Sequence, residues 1–250
     1  MTIDVFDSES VLAELQASTE RLLATAEGLD DDAAAASSLL PGWTRGHVLT
    51  HIARNADALC NLVSWARTGV ENPMYPSRES RDRDIEELAG RTAGEHVADL
   101  RDSAAALDAS ARDLAQDRWS RTVRTMQGRE VPASEALWMR MKELEIHHVD
   151  LGCGYSPAHW SPDFVARALP EVVGQLGARA ECPAVVIRVD ERDWVLEMPQ
   201  RAEPDGGGAV DVPTVSGPEA ALLAWLIGRS PGDGLTVEPA GPLPALPVWL

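Results

Sequence analysis

The chain carries one helical segment, residues 137–150, in which ionisable side chains recur at helical spacing. Within it, Glu143 and His147 lie four residues apart, so both side chains project from the same helix face. An earlier helical stretch holds His47 and His51 at the same spacing. Two helices that each turn imidazole or carboxylate groups inward can build a metal site in the core of a bundle. The spacing therefore favours metal-dependent chemistry.

The residues alone leave two alternatives open. Glu143 and His147 at this spacing also suit a solvated helix face, where such a pair is worth a few tenths of a kcal/mol. Glu145 and His148 form a Glu-x-x-His unit, the spacing found in di-iron bundles. His148 falls on the apolar stripe of its helix, which favours a core histidine bonded to a neighbour. Periodicity does not decide which pair binds a metal.

Four segments with apolar residues at helical spacing must position these groups. Thr44 is a predicted N-cap for the second segment and Gly69 its end, whereas Thr92 and Glu95 form a capping-box pattern that opens the third. Pro132 is predicted to lie in the first turn of the fourth. The pattern predicts a four-helix bundle. The segments are residues 8–28, 44–69, 92–114 and 132–151.

The connections between these helices have their own signals. Residues 30–38 indicate a polar, alanine-rich connection. Residues 70–83 contain two prolines and several charges, which predicts a loop or a broken helix. Residues 119–131 indicate a short extended piece with a turn at Gly128.

After residue 153 the pattern changes to short alternating segments. We expect a helix at 162–179, a hairpin turning at 190–193, a loop at 204–208, a strand at 210–215, a helix capped by Ser216 and a strand at 235–238. The predicted fold class is therefore α+β. Residues 1–153 are expected to form the metal-binding bundle and residues 154–250 a small α+β domain.

Charge and hydropathy limit the classes of partner that the chain is expected to have. The formal net charge is −18, from 40 acidic and 22 basic residues, so a phosphate backbone would be repelled and nucleic acid is not expected as a partner. No apolar run is long enough to predict a membrane span, and no basic segment precedes an apolar one at the N-terminus. We expect a soluble, cytoplasmic protein.

The three cysteines, Cys60, Cys153 and Cys182, form no CxxC pair and are odd in number. This usage fits a reducing compartment and indicates buried or incidental thiols. No cysteine has the setting of a nucleophile, so thiol chemistry would need an external small thiol.

Several blocks in the first 152 residues resemble the mycothiol-dependent maleylpyruvate isomerase family. They are residues 42–51, with Gly-Trp-Thr-Arg-Gly-His-Val-Leu-Thr-His, then 58–62, 73–75, 128–133, 137–140 and 147–152. The second part of the chain is similar, more weakly, to the sterol-carrier-like second domain of that family. The resemblance implies a DinB-like bundle that holds one divalent metal, usually zinc, with mycothiol as thiol cofactor. It also implies a dicarboxylate substrate, with conversion of maleylpyruvate to fumarylpyruvate.

Carried over residue by residue, the resemblance implies His51, Glu143 and His147 as metal ligands. His47 would then lie behind the ligands or serve the structure. Arg81 matches the arginine that follows the family's Pro-Met-Tyr loop and is a candidate catalytic anchor for a substrate carboxylate. The chain departs from the family where it has Glu145-Ile146-His147-His148 instead of a Trp-Ile-His-Ala run.

Two other functions stay open from the sequence. A thiol S-transferase would use the same metal but leave a stable thioether as its product. A non-catalytic module would hold a structural metal, with the second domain binding an apolar ligand.

Overall fold

The computed structural model describes residues 6–190, 194–198 and 212–249 of the 250-residue chain. The chain divides into two compact units, Met1–Tyr155 and Ser156–Leu250. Helices dominate the first unit, and the second combines two α-helices with a small four-stranded sheet, so the fold class is α+β, as predicted.

The first unit is built on four long helices. Its helices are α1 (Ser8–Glu27), α2 (Asp31–Ala35), α3 (Arg45–Thr68), α4 (Arg78–Leu88), α5 (Ala93–Arg112) and α6 (Glu135–Asp150). Both α1 and α3 pack against α5 and α6, which closes a four-helix bundle and confirms that prediction. Large side chains such as Leu49, Leu59, Leu137 and Leu144 are fully buried between the helices.

Local signals set where the long helices begin and end. The Thr44 side chain accepts a hydrogen bond from the backbone N–H of His47, and Thr92 does the same for Glu95, so both predicted caps are confirmed. Helix α3 ends at Gly69, whose φ of +76° favours glycine because other residues are strained there.

Three local predictions for the connections need correction. Residues 31–35 form α2, capped by the Asp30 side chain, rather than an irregular link. Arg78–Leu88 form α4 behind the cap of Ser77, because the prolines of that segment all precede the helix. Pro132 ends strand β2 (Glu130–Pro132), which pairs with β1 (Thr122–Arg124), and α6 begins only at Glu135. The turn at Gly128 is confirmed.

The second unit packs α7 (Pro162–Gly177) and α8 (Glu219–Leu226) with a four-stranded sheet. The strands are β3 (Val185–Val189), β4 (Trp194–Met198), β5 (Thr214–Gly217) and β6 (Thr236–Glu238), in the order β4-β3-β5-β6. The predicted hairpin is confirmed as β3 antiparallel to β4, and β5 runs parallel to β3. Ser216 lies in β5, opposite Arg188, so it is not the cap predicted for α8. The predicted loop at 204–208 lies outside the described residues.

Candidate metal centre

Three candidate ligands from two helices meet in the first unit. His51 projects from α3, and Glu143 and His147 project from α6. His51 Nε2 lies 2.8 Å from Glu143 Oε2 and 3.1 Å from His147 Nε2, and His147 Nε2 lies 3.1 Å from Glu143 Oε2. His51 is buried, whereas Glu143 and His147 are half-buried.

These three residues could hold a metal ion. Two imidazole nitrogens and one carboxylate oxygen are the donor set of a catalytic zinc site, with a fourth position left for water, thiol or substrate. Ligand bonds near 2.0–2.1 Å place tetrahedral donors about 3.3 Å apart, close to the separations seen here. The donor chemistry and the spacing therefore fit one divalent metal.

Asp150 lies directly behind His147, and sequence reasoning missed its role. Its carboxylate oxygen Oδ2 is 2.8 Å from His147 Nδ1, and its side chain is 1% exposed. Because a carboxylate only accepts hydrogen bonds, His147 carries a proton on Nδ1, so Nε2 is the nitrogen left to bind a metal. The spacing of three residues on one helix was the available signal.

Within this group of three, burial and the neighbouring charges shift the pKa values in opposite directions. Burial alone would raise the pKa of Glu143, but the two histidines hold it well below its usual range. Burial lowers the pKa of His51, and Glu143 only partly offsets this. Burial also acts to lower the pKa of His147, yet hydrogen bonds with Asp150 and Glu143 raise it to about 9. At neutral pH the group thus holds the Glu143 anion between a neutral His51 imidazole and a His147 imidazolium.

Arg81 lies beside His51, on helix α4, in the segment predicted as a loop or a broken helix. Its Nη2 is 3.1 Å from His51 Nδ1 and its Nη1 is 2.7 Å from Asp82 Oδ1. Since arginine only donates, His51 Nδ1 accepts in this arrangement. Arg83 on the same helix is exposed and pairs with Asp84 at 3.8 Å.

Tyr75 adds a hydrogen-bond donor close to Arg81. Burial and the charge of Glu143 raise the pKa of Tyr75 to about 12, although Arg81 acts in the other direction, so the hydroxyl stays protonated. Its loop is held by Asn61 of α3, whose Nδ2 lies 3.3 Å from the carbonyl oxygens of both Pro73 and Met74.

His47 is not a member of the group. Its side chain forms part of the capping box at the N-terminus of α3. Its Nδ1 accepts from the backbone N–H of Thr44 at 3.2 Å, and its Nε2 lies 3.2 Å from Glu86 Oε2. The Trp43 ring stacks on His47 with centroids 6.0 Å apart and meets His51 edge-on at 5.7 Å.

Glu145 and His148 face α1 instead of α3. Glu145 accepts hydrogen bonds from Ser18 and Tyr155 and from Arg21 at 2.8 Å. His148 Nε2 lies 2.7 Å from the Thr25 hydroxyl, and its ring stacks on Tyr155. In the part of the chain that the structure describes, only His51, Glu143 and His147 gather as three donors.

None of the three cysteines is a member of that group. All three are free and half-buried. Burial raises the pKa of the Cys60 thiol to about 11 and also raises that of Cys182, which disfavours the reactive thiolate.

Fold and site together define a class: a helical bundle with a His-Glu-His donor group, followed by a small α+β unit. Residues 15–152 match the family model of the mycothiol maleylpyruvate isomerase N-terminal domain, and residues 159–247 match the model of the C-terminal domain of that family. The chain therefore belongs to the mycothiol maleylpyruvate isomerase family, which confirms the resemblance seen in the sequence.

Solved structures agree with this assignment. A crystal structure of the mycothiol-dependent maleylpyruvate isomerase matches this chain with a TM-score of 0.88 at 32% identity, over 98% of each chain. A crystal structure of a histidine-to-alanine variant of that isomerase gives the same values. Curated protein sequences give no match. No helix among the described residues is long and apolar enough to cross a membrane.

Proposed function

We propose that this chain isomerises maleylpyruvate to fumarylpyruvate, with mycothiol as its thiol cofactor and zinc as its metal. Membership of the isomerase family over both parts of the chain supports the reaction. The observation that carries the proposal is the group of His51, Glu143 and His147, whose donor atoms all lie within 4.8 Å of one another. We assign these three residues as the metal ligands.

Addition and elimination of a thiol explains how the double bond can turn. The thiolate sulfur bonds to one alkene carbon of the cis substrate, and the alkene electrons move towards the conjugated ketone to give an enolate. The former double bond is then single and rotates. When the enolate collapses, the carbon–sulfur bond breaks and the trans alkene forms. The thiol is returned unchanged, so no net proton or electron is consumed.

The reaction needs an ionised thiol and a place for negative charge. A divalent metal bound at the His-Glu-His group would supply Lewis-acid chemistry, keeping a thiol with an ordinary pKa of about 8.5 ionised near neutral pH. Asp150 keeps the His147 ring in the orientation and tautomer that this binding requires. Tyr75, which stays protonated, offers a neutral hydrogen-bond donor beside Arg81.

Arg81 is proposed to hold a carboxylate of the doubly anionic substrate. A ring that binds metal through Nε2 carries its proton on Nδ1, so His51 would no longer accept from Arg81. The guanidinium then needs another acceptor, and a carboxylate suits its two-pronged geometry. The position of Arg81 on helix α4, beside His51, supports this role.

Product analysis tests the proposal. Zinc-loaded protein is incubated with maleylpyruvate and mycothiol, and the alkene coupling is followed by proton NMR while free thiol is titrated. We expect the trans product with the thiol concentration unchanged. Accumulation of a thioether with matching loss of thiol would instead identify an S-transferase. The absence of any product would favour the non-catalytic module that holds a structural metal.

A further inference from the structure

Arg140 is a buried cation with no assigned role in the proposed chemistry. It lies on α6 and is 2% exposed. Its Nη1 donates to the Ile52 carbonyl oxygen at 2.6 Å and to Asn55 Oδ1 at 3.1 Å, and both acceptors lie on α3. Arg140 therefore links the two helices that supply the candidate ligands.

This link lies one helical turn from the metal centre on both helices. Arg140 precedes Glu143 by three residues on α6, and Asn55 follows His51 by four residues on α3, so each shares a helix face with a ligand. A change at the Arg140–Asn55 contact would therefore shift His51 relative to Glu143.

The charge of Arg140 also bears on the centre. Burial lowers the pKa of Arg140 to about 10, and the largest opposing influence is the charge of Glu143. The guanidinium thus remains a cation at neutral pH. A buried cation is costly unless it is paired and hydrogen-bonded. Among the charged neighbours of Arg140, Glu143 contributes most to stabilising the cation.

Arg45 shows what a purely structural arginine looks like in the same bundle. Its Nε donates to the Leu151 carbonyl oxygen at 2.7 Å and its Nη1 to the Ala33 carbonyl oxygen at 3.0 Å. It also ties α3 to neighbouring elements, but it lies at the first residue of the helix and contacts no ligand. Arg45 is therefore the matched control.

We propose that Arg140 is a positioning residue of the metal centre, which fixes the spacing of α3 and α6 through Asn55 and Ile52 and places a buried positive charge one helical turn from Glu143. The proposal rests on the metal site of the proposed function. It concerns metal binding alone, so its test needs neither thiol nor substrate.

The test compares Arg140→Met, Arg140→Lys and Arg45→Met. Zinc affinity is measured by competition with a chelator, the ligand field by the visible absorption of the cobalt(II) form, and stability by denaturant unfolding of the metal-free protein. We expect Arg140→Met to bind zinc about 10- to 100-fold more weakly, with an altered cobalt spectrum. Arg140→Lys, which keeps the charge, should recover part of the affinity. Arg45→Met should lose stability but keep affinity and spectrum.

Wild-type affinity and spectrum in Arg140→Met would overturn the proposal and make Arg140 a structural link like Arg45. If Arg140→Met does not fold, Asn55→Ala decides, because it removes one acceptor and leaves the cation in place. A several-fold loss of zinc affinity is expected there, and unchanged affinity would overturn the proposal. Failure of the wild-type protein to bind one metal per chain would instead contradict the metal centre itself.

Discussion

At the scale of single residues, each candidate ligand has a different charged neighbour. His147 has the buried carboxylate of Asp150, His51 has the guanidinium of Arg81, and Glu143 lies in the field of buried Arg140. An anion behind an imidazole strengthens it as a ligand, whereas a cation beside one does not. Arg81 therefore suits an anionic substrate better than support of the metal.

Replacing Arg81 with lysine tests its role as an anchor. Arg81→Lys keeps the charge but loses the fork that pairs with a carboxylate, so we expect a loss of about 1.5–3 kcal/mol, or tenfold or more in kcat/KM. Steady-state kinetics on zinc-loaded protein measure this. The control is Arg83→Lys, two residues further along α4 and paired with Asp84, which should not change kcat/KM. An unchanged kcat/KM in Arg81→Lys would show that Arg81 does not hold a substrate carboxylate.

Replacing Asp150 with asparagine tests the support of His147. An amide does not require the proton to stay on Nδ1, so the wrong tautomer becomes accessible. We expect zinc affinity to fall about 10- to 100-fold, measured by chelator competition. Asp113→Asn, an exposed residue paired with Arg67, should leave the affinity unchanged. Equal affinities in the two variants would show that Asp150 is dispensable.

The sequence could predict some of these neighbours and not others. The four-residue spacing of Glu143 and His147 is local, so a shared helix face follows from helix geometry alone. That His51 faces them depends on how α3 packs against α6, which periodicity does not contain, and only the family resemblance supplied it. Arg140 stands between Met139 and Met141 in the sequence, but its acceptors on α3 are non-local, so its partners could not be predicted.

At the scale of elements, the N-terminal end of α3 depends on a close backbone approach. The Gly46 Cα faces the Ala89 carbonyl oxygen and the His96 ring, and a Cβ there would overlap that oxygen. The same end of the helix carries the Thr44 cap and, about two turns further on, His51. Packing at this end therefore helps to hold a ligand in place.

Gly46→Ala should destabilise the bundle. A carbonyl oxygen of the backbone cannot rotate away as a side chain can, so we expect a loss of about 1–3 kcal/mol in the free energy of unfolding. Gly94→Ala on α5, where a Cβ meets nothing within 4 Å, is the matched control and should keep or raise stability by up to about 1 kcal/mol. Denaturant unfolding distinguishes them, and equal stabilities would contradict the close packing.

The predictions from sequence patterns that were wrong concern short elements. Helix α2 has five residues and α4 has eleven, most of them charged, so neither carries an apolar stripe that would reveal it. The long helices were predictable because their stripes extend over several turns and their caps are explicit. Pro132 suits the first turn of a helix as well as the end of a strand, and its pairing with Thr122 decided between them.

At the scale of the whole molecule, a chain of strongly negative net charge is proposed to bind a dianion. The net charge of −18 opposes the approach of such a substrate, so local cations must offset it. A divalent metal and Arg81 are the proposed sources of that charge. Metal binding would also join α3 to α6, so the metal should contribute to the stability of the fold.

Zinc should therefore stabilise the protein against unfolding. A ligand that binds only the folded chain contributes about 2.7 kcal/mol when its free concentration is 100-fold above Kd. Thermal unfolding of metal-free protein with and without zinc measures the shift in Tm. His147→Ala should show little or no shift, because it lacks one ligand. A shift of wild-type size in His147→Ala would contradict the assigned ligands.

The most direct measurement of the central claim is turnover of maleylpyruvate by one protein preparation in three states: zinc-loaded, stripped with a chelator, and reloaded. We predict that fumarylpyruvate forms only when both zinc and mycothiol are present, that stripping abolishes turnover, and that reloading restores it with no thiol consumed. Full turnover by the stripped protein, or by the loaded protein without any thiol, would contradict the account.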